Sequence, residues 1–143
     1  MSKAAPQHWM VKSEPSSYSW DMFVKDGRAA WTGVRNFQAR KNMKDMKLGD
    51  RGFFYHSGES KAVVGIVEVS KLAHPDSTAK DGPWECVDIR AVEDVPKPVT
   101  LAQCKADKRL RDMVLVNNSR LSVQPVSAEE WKILCAMGGV KKA

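Results

Sequence analysis

Trp31-Thr32-Gly33 is followed, one residue later, by Arg35-Asn36. A flat indole beside a guanidinium and an amide supplies stacking together with edge hydrogen bonds, the two requirements for holding a nucleobase taken out of its stack. The same indole would also serve as core, since tryptophan is highly buried on average, and the sequence leaves both roles open. Glu14, between Ser13 and Pro15, is a carboxylate in a non-repetitive corner, where it can face a pocket or cap a turn. His56-Ser57 closes an aromatic run, but neighbours on a strand point to opposite faces, so they do not form a base–nucleophile dyad. A turn serine and a strand-end histidine bonded to backbone is an equal reading.

No GxGxxG, Walker lysine loop, HExxH or GxSxG occurs in the chain, so phosphate cradling and the common hydrolytic reactions have no motif behind them. His8, His56 and His74 are isolated from one another. Cys86, Cys104 and Cys135 are odd in number and lack a CxxC pair, which indicates neither a zinc ribbon nor a disulfide framework. The expectation is no catalytic residue, no metal and no cofactor, with reduced thiols in an intracellular protein, cytoplasmic in a bacterium or nuclear in a eukaryote.

Charge is segregated along the chain. The total is +6, yet Arg28 to Lys47 holds six bases (Arg28, Arg35, Arg40, Lys41, Lys44, Lys47) against Asp45, whereas Gly58 to Pro98 holds five bases against eight acids. A second basic group comprises Lys105, Lys108, Arg109, Arg111 and Arg120. Such segregation fits a nucleic-acid face, and it fits two solvated helix surfaces equally well.

These residues need elements to hold them. His8 to Lys12 reads as a strand stopped at Pro15, and a short helix follows, capped by Ser19 and ended at Asp26-Gly27. Asn36 to Met46 reads as a helix broken at Leu48-Gly49-Asp50. On it Arg40, Lys44 and Lys47 form a basic stripe beside apolar Ala39, Met43 and Met46. Gly52 to Ser57 and Ala62 to Leu72 form a hairpin, and Trp84 to Val95 a third strand set off by prolines on each side. The spacing further predicts a helix over Leu101 to Lys105, an apolar piece over Met113 to Val116, a strand over Leu121 to Gln124, and a last helix over Ser127 to Met137. That helix opens with a Ser127/Glu130 capping box and ends at Gly138-Gly139. Trp9 and Trp131 read as core. Consecutive strands with short helices favour an α+β domain with a curled, mainly antiparallel sheet.

With 143 residues there is length for one self-sufficient core, and no apolar run approaches the roughly 18 residues of a membrane span. One domain over 8–139 is expected, between a polar N-terminal tail (1–7) and a basic C-terminal tail (140–143).

Seven segments in order, WMVKSEP from Trp9, YSW from Tyr18, WTGVRNFQAR from Trp31, MKLGD from Met46, FFYHS from Phe53, VVGIVEV from Val63 and SRLSVQPV from Ser119, closely resemble the EVE domain family across nearly the whole chain. Phe37 stands where that family usually carries Tyr. The resemblance implies a PUA-like fold, a compact β-barrel with short peripheral helices, related to the YTH domains that read methylated adenine. It also implies a non-catalytic reader of modified bases, notably modified cytosines in DNA. By segment, the pocket would be lined from Ser13, Glu14, Trp31, Arg35, Asn36, His56, Ser57, Arg120, Leu121 and Ser122.

The expectation joins these readings. An extruded base stacks on Trp31, Glu14 or Asn36 reads its edge, and His56, Ser57 and Ser122 supply further hydrogen bonds. Arg40, Lys44 and Lys47, with Lys108, Arg109 and Arg111, hold phosphates. The expected partner is DNA with modified bases or, alternatively, RNA, met by a monomer without membrane, metal or cofactor. A third alternative makes Glu14 and His56 an acid and base acting on a free nucleoside or another small planar ligand.

Overall fold

The computed structural model describes residues 8–118 and 120–140; most of both expected tails, 1–7 and 141–143, lies outside the described residues. A six-stranded sheet carries the fold. Its strands are β1 (His8–Ser13), β2 (Arg28–Ala30), β3 (Arg51–His56), β4 (Ala62–Pro75), β5 (Glu85–Thr100) and β6 (Val123–Val126), in the order β2-β5-β4-β3-β1-β6. All neighbours are antiparallel except β1 and β3. The sheet curls without closing, so β2 and β6 are its edges rather than members of a complete barrel.

Strand alternation builds two cores. In β1 Trp9 and Val11 enter one and Met10 the other, and in β3 Phe54 joins the first while Phe53 and Tyr55 join the second. Helices α1 (Trp20–Asp26) and α2 (Phe37–Asp45) cover the first core through Trp20, Phe23, Ala39 and Met43. The second is covered by α3 (Leu101–Ala106), a 3-10 turn (Lys108–Leu110), α4 (Val114–Asn117) and α5 (Ala128–Gly138). Trp131 of α5 stacks on Phe53, ring centroids 4.3 Å apart, and Trp9 is 5% exposed with its indole N–H donating to buried Asp50 at 3.0 Å.

Three expectations about elements are revised. Pro96 and Pro98 do not end β5, which runs on to Thr100. The ladder jumps from Gly65↔Asp94 to Val63↔Val99, a bulge that places the prolines outside regular pairing. The final strand is Val123–Val126 rather than Leu121 to Gln124, and it tolerates Pro125 because it is an edge. Helix α2 ends at Asp45, so Lys47 lies beyond it, its backbone N–H donating to Asp50. The short β2 strand had no sequence signal; it exists because Arg28–Ala30 pairs with β5.

Candidate functional site

The loop from Trp31 to Arg35 joins edge strand β2 to α2, and it walls a cavity of about 470 Å³, within the roughly 300–1,000 Å³ of small-ligand sites. Lys12 and Ser13 from the end of β1, Tyr18, Ala29-Ala30 and Ser122 complete the lining. Trp31 serves two purposes at once. It is 8% exposed and belongs to the first core, meeting Phe54 and Phe23 edge-on at centroid distances of 5.6 and 6.2 Å, and it is also part of the cavity wall. An indole wedged this way is rigid, which lowers the entropic cost of stacking a flat ligand against it.

Asp76 holds the loop in place, although no feature of the pocket segments pointed to it. Its side chain is fully buried. One oxygen accepts from the Gly33 N–H at 2.8 Å and from Arg35 at 3.0 Å, and the other from the Thr78 N–H and hydroxyl at 2.8 and 2.6 Å. Burial alone would raise its pKa, but the bonds from Thr78, Gly33 and Arg35 outweigh it and hold this carboxyl well below the usual carboxylate range. Gly33 adopts φ +85°, a left-handed turn open to glycine without strain. The available signal was the Asp76-x-Thr78 spacing, an Asx-turn pattern.

The proposed pocket residues divide. Ser13, Trp31, Arg35 and Ser122 come together at the cavity. The Ser13 hydroxyl donates to the Tyr18 carbonyl at 2.6 Å, and Arg35 lies at the rim, one-third exposed. Glu14 and Ser57 instead line a separate depression with Pro15 and Gly58. Asn36 caps α2, accepting from the Ala39 N–H at 2.9 Å, and His56 Nε2 accepts from the Trp20 N–H at 2.9 Å. That acceptor role suits a neutral ring, and burial lowers the pKa of His56 against the pull of Asp21. Leu121 is buried in the first core and Arg120 is exposed outside the cavity lining.

Lys12, Tyr18, Thr32 and Val34 line the cavity without having been singled out. Burial brings Lys12 down to about 8, and its ammonium lies 5.4 Å from the centre of the Tyr55 ring. A lysine closing a strand beside Ser13 gave no signal in a linear reading.

Apart from Arg120, which adjoins Leu121 of the first core, the two basic groups belong to opposite faces of the sheet. Arg40 and Lys44 ride on α2, over the first core and on the cavity side, each reaching Glu85, at 4.0 and 3.8 Å. Lys108, Arg109 and Arg111 surround Leu110, which is buried in the second core, and Arg109 is paired with Asp107 at 2.8 Å. Cys86, Cys104 and Cys135 are buried free thiols, which burial pushes up to about 11, 11 and 12. Among the described residues no three His, Cys, Asp or Glu side chains converge on a metal site, and no helix is long and apolar enough to cross a membrane.

Residues 7–137 match the model of the EVE domain family. Thymocyte nuclear protein 1 of Homo sapiens is 31% identical, the alignment covering 94% of this chain and 75% of that protein. Among solved structures, a protein from Agrobacterium tumefaciens superposes with a TM-score of 0.93 at 56% identity, covering 96% of both chains. Human THYN1, crystallised in complex with DNA containing 5-methylcytosine, superposes with a TM-score of 0.82 at 30% identity, covering 96% of this chain and 99% of that one. A YTH domain from Zygosaccharomyces rouxii shares the fold, with a TM-score of 0.60 at 19% identity over 93% of this chain and 86% of that one.

Proposed function

The chain belongs to the EVE domain family, and from that premise we propose that it is a non-catalytic module that reads a modified base, a modified cytosine in DNA, extruded into the cavity beside Trp31. The observation that carries this reading is a cavity with an immobile indole in its wall and a guanidinium, Arg35, at its rim. Its support from outside the chain is the solved complex of human THYN1 with 5-methylcytosine DNA.

The residues take distinct roles. Trp31 stacks on the flat heterocycle. Edge recognition falls to the polar groups that line the cavity: Thr32, Arg35 and Ser122, with Ser13 as an acceptor because its hydroxyl proton goes to the Tyr18 carbonyl. Asn36 and His56 do not line it and bond Ala39 and Trp20, and Glu14 and Ser57 face another depression. Stacking is worth about 1–3 kcal/mol per base, while unstacking from a duplex costs a few kcal/mol, so stacking alone does not drive capture and pocket hydrogen bonds must supply the surplus. Phosphates are held by Arg40, Lys44 and Lys47, on the side of the sheet that carries the cavity.

The test is binding to matched oligonucleotides that differ in one cytosine, plain or modified, at fixed salt, with an RNA strand as competitor. Preference for a modified base in DNA is expected, and Trp31→Phe, which keeps an apolar ring in the core, should reduce that preference. Equal affinity for plain and modified strands would overturn the reading, and preferential capture by RNA would reassign the substrate.

A further inference from the structure

Beside the cavity, four side chains neighbour one another in turn, and the outer of the two rings among them is largely open to solvent. Arg35 at the cavity rim lies with its guanidinium 5.7 Å from the centre of the Trp84 ring, Trp84 lies 4.9 Å from Phe37 at an interplanar angle of 32°, and Arg40 lies 5.8 Å from Phe37. Phe37 is 64% exposed. It opens α2 and has no place in either core. A single exposed aromatic needs no explanation, but here two flat rings are held by two guanidiniums, and one of those guanidiniums belongs to the cavity. A shallow cleft along the outer side of α2 is lined by Phe37, Gln38, Arg40, Lys41 and Lys44, with Asp45 as its acid.

From this geometry we infer that Phe37 and Trp84 form a second stacking site, a shelf for the nucleobase that flanks the captured one in the same strand. The inference rests on the reading of the cavity as a base pocket. Extruding one base deprives its neighbour of a stacking partner, and a flat aromatic at the cavity rim restores that contact. The cleft at Arg40, Lys41 and Lys44 then receives the connecting phosphate. Lys41 pairs with Asp45 at the exposed surface, a link weak enough to exchange for a phosphate, whereas Arg40 is held half-buried by Glu85 and by the Pro83 carbonyl, to which it donates at 3.0 Å, and Lys44 reaches the same Glu85 from a more exposed position. Because every base has a flat face, the shelf adds affinity without selecting sequence.

Phe37→Ala is the variant of choice, since the ring packs in neither core. The probe is a single-stranded oligonucleotide with one 5-methylcytosine, prepared intact and with an abasic site at the position 5′ or 3′ to it. Phe37→Ala should weaken binding of the intact strand by about 5- to 150-fold, leave the ratio between modified and plain strands unchanged, and be rescued by Phe37→Tyr. One of the abasic strands should weaken the wild type by a similar factor and Phe37→Ala much less. Unchanged affinity of Phe37→Ala, with modified-base preference intact, would overturn the shelf alone. The same holds for abasic losses on both sides that are as large in the variant as in the wild type. Loss of modified-base preference in the wild type would overturn the cavity reading and the shelf with it. If Phe37→Ala abolishes self-association while oligonucleotide affinity stays, the patch meets a second copy and the shelf falls.

Discussion

At the scale of single residues, the decisive group is Asp76. Four donors converge on a carboxylate with no exposed surface, and two of them, the Gly33 N–H and the Arg35 guanidinium, belong to the cavity loop. Removing a buried acceptor strands its donors. Asp76→Ala is therefore expected to lower stability by about 1–3 kcal/mol in urea unfolding and to diminish modified-base preference by more than a comparably destabilising change in the second core. The pH dependence has a definite sign. The folded-state pKa lies below that of the unfolded chain, near 3.9, so the stabilisation is complete above about pH 4 and is lost as the pH falls further, through the folded value. The gap in urea midpoint between wild type and Asp76→Asn should be narrower at pH 3 than at pH 7; an equal gap at both would remove Asp76 from the acid response.

Among the elements, α1 is seated by a contact between a glycine and a tryptophan. Trp20 donates its indole N–H to Asp94 at 2.7 Å, and its ring passes so close to β4 that a Cβ on Gly65 would lie 2.4 Å from it. Neither partner can yield cheaply, since the ring also meets Phe54 and Phe23, which in turn wedge Trp31. Gly65→Ala is expected to cost about 1–3 kcal/mol as overpacking, read as a lower urea midpoint, and to disturb the cavity wall through Phe23 and Phe54. Gly33, which lines the cavity with nothing within contact distance of an added Cβ, would suffer from its positive φ instead. An undiminished midpoint for Gly65→Ala would show that α1 can shift without penalty.

For the whole molecule, the sheet sets the electrostatics. A net charge of +6 attracts polyanions at long range, but the bases of α2 and those around Leu110 sit on opposite faces, and the cavity shares its face with α2. Salt dependence separates them. Lys44→Glu should weaken binding to every sequence and flatten the plot of log affinity against log salt, whereas Arg111→Glu should leave the slope unchanged. Equal slopes for wild type and Lys44→Glu would move the phosphate track off α2, and a flattened slope for Arg111→Glu would bring the second face into contact with the nucleic acid.

Much of this protein was legible from its residues alone, where the governing interactions are local. The Ser19 and Ser127 caps sit within three residues of the amides they bond, and the alternation of Trp9, Met10 and Val11 is a property of one strand, so elements, core and family segments could be read along the chain. Features made by contacts across the sheet could not. Strand β2 exists only against β5, and the prolines of β5 are tolerated only because of a bulge opposite β4. Asp76 reaches Gly33 across 43 residues, and Phe37 meets Trp84 across the gap between α2 and β5. Which polar side chains face the cavity, and which, like His56 on the Trp20 amide 36 residues away, are spent on backbone, is a competition between partners far apart in sequence. Only tertiary packing decides it, because hydrogen bonds are short-ranged and satisfied by whatever the fold brings near.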